Sequence, residues 1–211
     1  DSTITSYESI KYAKTDEGTS VYADALCGDG SSMVTEFIYW SDYYNSIISP
    51  FYSYSTGRTK STVRSSLTTC RDIDGDGVIE IPKDASNKKQ ASEITTQNWV
   101  SYGNTVLSHK CYSLACKRDG YILVVGDDDF SKIKASYDSE KRKLELTNKK
   151  NNKKAIEIIT LINSSYSEND PKYEDYSLVM KNSGFVYLAK ADSSSGIDIN
   201  IKKLRDMIKV Y

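Results

Sequence analysis

Apolar and β-branched positions in the first half of the chain come in short runs, at residues 19–26, 33–40, 47–54 and 62–69. Val, Ile, Thr and Tyr fill these runs and Gly, Asp, Asn and Ser separate them, a pattern of strands joined by turns. No stretch in this half carries helical periodicity. Residues 83–97 are polar, with Ile94 the one large apolar side chain, and read as a linker or exposed loop. The second half predicts strands near 104–114, 120–125, 132–137 and 143–147, the last two joined by a hairpin at 138–142. Residues 155–162 are apolar and β-branched enough for a buried central strand. Strands at 176–180 and 185–189 flank the turn Lys181-Asn182-Ser183-Gly184. At 198–210, Ile201, Leu204 and Ile208 recur at helical spacing behind Asp198, a candidate N-cap. The expected fold is therefore β-rich α+β: a β-module at 1–98 and, at 99–211, an antiparallel sheet with a terminal helix packed on it.

Composition narrows the function classes. The 211 residues include 38% hydrophobic and 27% charged side chains, enough for a packed core. The 28 Lys and Arg balance 29 Asp and Glu, so no global field draws the chain to nucleic acid or anionic lipid. Seven basic residues between Lys141 and Lys154 read as a solvated hairpin or loop. Seventeen tyrosines against four phenylalanines suit half-buried sheet faces and wet contact surfaces. No apolar run is long enough to cross a bilayer as a helix. The start at Asp1 reads as a mature or trimmed chain, which leaves a lipid or cell-wall anchor upstream open. Four cysteines, an even number, fit an oxidising compartment, with Cys27–Cys70 and Cys111–Cys116 as the first pairing to consider and four buried thiols as the alternative. The second pair requires a turn, because residues five apart on a straight strand lie ~17 Å apart and on opposite faces.

The segment Asp72-Ile73-Asp74-Gly75-Asp76-Gly77-Val78-Ile79-Glu80-Ile81 carries the most chemistry. Carboxylates at alternate positions, with Gly at the sixth, let a tight loop close around a hard cation. The expected ligands are Asp72, Asp74, Asp76, the Val78 carbonyl and Glu80, and the expected ion is a structural Ca²⁺. An EF-hand is excluded: its twelfth position is Lys83, and Pro82 follows where a helix should continue. A weaker echo lies upstream in Asp24, Cys27-Gly28-Asp29-Gly30 and Val34-Thr35-Glu36-Phe37, with its Asp-Gly step 47 residues before Asp76-Gly77. That period matches one four-stranded propeller blade.

The D-x-D-G-D-G-x-x-E-I pattern resembles the calcium loops of FG-GAP and VCBS repeat proteins, which form β-propellers, over about residues 21–84. That resemblance implies ligands at Asp72, Asp74, Asp76, Val78 and Glu80, with Glu where the family often has Asp. The order of runs, with Pro50-Phe51 and Thr62-Val63-Arg64 before the acidic loop, is similar to bacterial secreted lipoproteins of unassigned function. The second half, with its Gly120-Tyr121 strand start and final helix, is loosely similar to the PsbP-like sandwich. Neither likeness implies an enzyme.

Catalytic signatures are missing. The single histidine, His109, stands two residues from Cys111 in an apparent strand, with no Gly-x-Ser-x-Gly elbow or papain-like motif. Asp127, Asp128 and Asp129 read as the acidic first turn of a helix or as a loop. No phosphate-binding glycine motif occurs. The aromatics Trp40, Tyr43, Tyr44, Phe51, Tyr52 and Tyr54 divide between core and surface by alternation. Trp40, Tyr43, Tyr44 and Tyr52 are the candidates for contact with a glycan or protein. The expectation is a non-catalytic extracellular or cell-surface bacterial protein with a binding or structural role. A carbohydrate-binding module and a secreted hydrolase are the alternatives.

Overall fold

The computed structural model describes residues 1–16, 18–28, 30–85 and 93–211. It is β-rich, with antiparallel sheets and two short α-helices among the described residues. The chain divides into two compact units, Asp1–Ala85 with Gln97–Cys111, and Ser86–Thr96 with Tyr112–Tyr211. No helix among the described residues is long and apolar enough to cross a membrane.

In the first unit, β1 (Ile4–Thr15), β2 (Gly18–Cys27), β3 (Ser32–Ser41) and β4 (Ser46–Ile48) form an antiparallel meander. A two-stranded ribbon, β5 (Tyr52–Ser53) with β6 (Arg58–Thr59), follows. Then β7 (Ile81–Asp84) pairs with β8 (Thr95–Gly103), which turns into β9 (Val106–Cys116). Register explains the core. Tyr22 stands opposite Phe37, and both are fully buried in a cluster with Tyr39, Phe51, Val100 and Tyr102. Phe37 lies 4.8 Å from Tyr22 and 4.7 Å from Tyr102, ring centre to ring centre and tilted, a favourable geometry for aromatic pairs.

Two expectations fail here. No sheet among the described residues closes on itself, so a propeller is not supported. The echo is also unlike its counterpart where the structure describes it: Asp24 lies within β2, whereas Asp72 to Gly77 form a loop before β7. Asp29, part of the upstream echo, lies outside the described residues, as does 86–92 of the expected linker. The run 62–69 is not a strand of a sheet. Its one backbone bridge to a strand among the described residues joins Arg64 to Met33. Its alternation is inverted: Thr62, Arg64, Ser66 and Thr68 are buried, while Val63 and Leu67 face solvent. Arg64 turns inward to a buried ion pair, described below, while Thr62 Oγ1 bonds the backbone of Thr35 and Thr68 Oγ1 accepts from Gln97.

In the second unit, residues 112–116 of β9 pair with β10 (Tyr121–Val125). Helix α1 (Asp127–Lys132) leads into a second sheet, β11 (Ile133–Asp138), β12 (Lys143–Asn148), β13 (Lys154–Ile162), β14 (Ser177–Lys181) and β15 (Phe185–Ala191), ordered β11-β12-β13-β15-β14. The apolar run of β13 occupies the central position its composition suggests. Asn182 fixes the β14–β15 turn by accepting from the amides of Gly184 and Phe185. Leu144, Leu146, Ile156, Ile158, Tyr187 and Ala189 share one core with Leu123 and Leu204. The terminal helix is shorter than its periodicity suggests: α2 spans Ile201–Met207, and β16 (Ile208–Val210) then pairs with β10. Its cap is Asn200, whose side chain accepts from the Lys203 amide, and not Asp198. Ile208 and Val210 favour a strand, and an open edge of β10 receives them.

Candidate metal centre

The acidic loop is built from its base upward. Arg71 and Glu80 exchange two backbone hydrogen bonds, 3.1 and 2.9 Å, and so close residues 72–79 into a loop. Asp72 accepts from the amides of Gly75 and Gly77 with its two oxygens. Asp74 accepts from the Asp76 amide and Asp76 from the Val78 amide. Gly77, the sixth position, has φ +86°, the conformation that motivates glycine there. One carboxylate oxygen from each of Asp72, Asp74, Asp76 and Glu80 lies within 4.8 Å of the others, so the four could hold a metal ion. Val78 belongs to the same turn.

Glu80 differs from the three exposed aspartates. It is fully buried. Its Oε2 accepts from the Ile73 amide at 3.1 Å, while Oε1 is buried with no hydrogen-bond partner. A carboxylate oxygen left so is costly unless a cation or proton meets it. Burial raises the Glu80 carboxyl to about 7, the Ile73 amide opposes this, and the charges of Asp74 and Asp76 add to the rise. Lys110, on β9, reaches the loop from outside, with its ammonium 2.6 Å from Asp76 Oδ2. That bond, with the Val78 amide, lowers the Asp76 carboxyl, and Asp76 in turn raises Lys110.

A second acidic group behaves oppositely. Asp24 and Arg64 form an ion pair at 2.8 Å with both side chains fully buried. Asp24 Oδ1 also accepts from Thr35 Oγ1, and Oδ2 accepts from the amide and thiol of Cys70. Arg64 spends its remaining donors on Thr35 Oγ1 and on the carbonyls of Thr62 and Thr68. Local sequence does not mark their pairing, since the partners stand 40 positions apart.

The expected disulfides are absent: no bridge joins the four cysteines, and all four are buried. Cys111 and Cys116 lie on the unbroken strand β9, the geometry that forbids their bridge. Cys27 shares one face of β2 with Ala25, packed with Val34. Cys70 is bonded to Asp24, which by alternation projects from the opposite face. Without disulfides, the cysteine count no longer argues for an oxidising compartment.

Of the aromatic candidates, Tyr43 and Tyr44 are exposed and packed edge-on to each other. Tyr52 is partly buried against Tyr54, and Phe51 belongs to the core. Trp40 is 48% exposed, opposite Ile47 on β4, on the sheet face that also presents Ile10 and Tyr12. His109 is exposed on β9 and bonded to Asn98. Asp127, Asp128 and Asp129 form the first turn of α1, and Asp129 pairs with Lys203 at 2.9 Å. Comparison with protein-family models, curated proteins and solved structures gave no match in any of the three.

Proposed function

We propose that the chain is a non-catalytic protein of the bacterial cell surface or exterior, with a binding or structural role, whose acidic loop is stapled by one Ca²⁺. The observation that carries the reading is the unpartnered, buried Glu80 Oε1 among the carboxylates of Asp72, Asp74 and Asp76. Oxygen-only donors select a hard cation, and a flexible loop of mixed carboxylates suits Ca²⁺ better than the stricter octahedron of Mg²⁺. The Val78 carbonyl completes the proposed set. The FG-GAP and VCBS loop likeness supports this ligand set without the propeller.

Three exposed aspartates and a competing lysine make a weak site, in the range of roughly 10⁻⁴–10⁻³ M that extracellular calcium modules use. Such a site fills outside a cell, where calcium is abundant, which is why the exterior is the proposed location. Thermal melts in millimolar Ca²⁺ and in chelator test the proposal. The melting temperature should rise with Ca²⁺, because an ion bound only to the folded state stabilises it by mass action. Asp74→Ala should abolish the difference. Identical melts of the wild-type protein in both buffers would remove the calcium reading.

A further inference from the structure

The outer face of the β11–β15 sheet changes character along its length. At one end Glu145, Glu157 and Lys190 lie side by side across β12, β13 and β15. At the other end the same row positions hold Ile159 with Leu188, and Leu161 with Val186. Val186 and Leu188 are buried, but Ile159 and Leu161 are only half-buried. Above them lies a groove of about 520 Å³, walled by the β11–β12 hairpin and by residues 165–176. This volume lies within the usual span of ligand sites, and the groove combines an aliphatic floor of Ile159, Leu161 and Ile162 with two tyrosines and six charged side chains.

The charges in the groove are not equivalent. Lys141, Arg142, Lys143 and Lys172 line it, against Glu140 and Glu157. Arg142 is held by Asp119 at 2.7 Å. Burial works against ionisation of Glu157, but bonds from Tyr176, Lys143 and Lys154 prevail and hold its carboxyl at about 2. Its negative charge is thus matched by two ammonium groups already in place. Lys141 stands 3.6 Å from Asp138 and largely in solvent, and Lys172 lies over the Tyr173 ring, 5.4 Å from its centre. An incoming anion would meet Lys172 directly and share Lys141 with Asp138 across that long, solvent-exposed pair.

The aromatic wall is fixed before any ligand arrives. Tyr176 donates its hydroxyl to Glu157 and carries Lys190 on its face, 4.7 Å from the ring centre. Tyr173 packs edge-on to Tyr176. A ring held this way gives up little further freedom on binding. Ring faces accept the C–H face of a sugar, the ammonium groups accept a carboxylate or sulfate, and Glu140 and Ser165 offer polar partners to hydroxyls.

We propose that this groove binds an acidic oligosaccharide, a sugar ring stacked on Tyr173 and its anionic group met by Lys141 and Lys172. The proposal gives a ligand class to the binding role suggested above and rests on that role, but not on calcium. The test is ¹⁵N-resolved NMR titration of the full chain with a hyaluronan tetrasaccharide and, separately, with neutral cellotetraose. The acidic probe should shift amides of residues 140–143, 159–162 and 172–176, and bind about tenfold more tightly than the neutral one, with the advantage shrinking in high salt. Lys141→Met/Lys172→Met should remove most of that advantage, and Tyr173→Ala should weaken both probes. Trp40→Ala should change nothing. If Tyr173→Ala melts early, the surface lysine pair still decides the matter. Equal binding of the two probes, no saturable shift in this groove, or full acidic binding by the double lysine variant would each overturn the proposal. In that event the calcium melts still report on the staple by themselves.

Discussion

Asp24 and the 72–80 loop belong to two stretches whose sequences echo each other, and the structure gives their carboxylates opposite fates. Asp24 is buried deep in the first unit, and the chain supplies its cation: Arg64 meets it at 2.8 Å and every oxygen is satisfied. The loop places four carboxylates within 4.8 Å of one another, and among the described residues the cation that meets them is an exposed lysine bonded to Asp76. Glu80, buried like Asp24, keeps an oxygen without a partner. A group of buried or crowded carboxylates needs positive charge from somewhere. Where the chain provides it, the result is architecture; where it does not, the deficit points to an ion from solvent.

The largest expected effect comes from breaking the closed pair. Arg64→Met leaves Asp24 charged, buried and unpaired, which costs about 3–5 kcal/mol. Urea denaturation followed by tyrosine fluorescence measures it. Replacing both partners, Asp24→Leu with Arg64→Met, should recover much of the loss, since no lone charge then remains. If the single variant is as stable as wild type, the pair does not organise this core.

The open site predicts a smaller effect with the reverse sign. Without divalent ions, a Glu80 carboxyl raised to about 7 in the folded state and near 4.5 when unfolded binds more protons folded than unfolded between those values. Stability should therefore fall as pH rises from about 4.5 towards 7, and level off above. Glu80→Gln should flatten that slope and, in chelator at pH 8, gain roughly 1–3 kcal/mol over wild type. Added Ca²⁺ should reverse the order by stabilising only the wild type. A wild-type profile flat across this window would show that Glu80 is not strained.

Much of this contrast was written locally in the chain, and some was not. The loop is legible because its determinants are neighbours: alternate aspartates, Gly77 at the sixth position and Glu80 all fall within nine residues. The strands of the second unit are legible for the same reason, as is the Asn182 turn. The Asp24–Arg64 pair is not, because it joins distant segments. The run 62–69 misleads for the same reason: Val63 and Leu67 suggest an apolar inner face, yet the polar members turn inward, Arg64 to Asp24, Thr62 to Thr35 and Thr68 to Gln97, all distant in the chain. The cysteines mislead similarly, since an even count says nothing of which sheet face each thiol occupies.

The smallest expected effect concerns Lys110, the loop's tethered cation. Its ammonium competes with an ion for Asp76, and the pair is partly exposed, so its influence is modest. Lys110→Met should tighten apparent Ca²⁺ affinity by about two- to fivefold without altering stoichiometry. Weaker binding would mean that Lys110 supports the loop instead of competing for it.

Calorimetric titration of Ca²⁺ into the chelator-stripped wild-type protein at pH 7.5 addresses the deficit at Glu80 directly. The account predicts one saturable site per chain, lost in Glu80→Gln. A titration without saturable heat at 10 or 40 °C, or one that Glu80→Gln leaves intact, would contradict it.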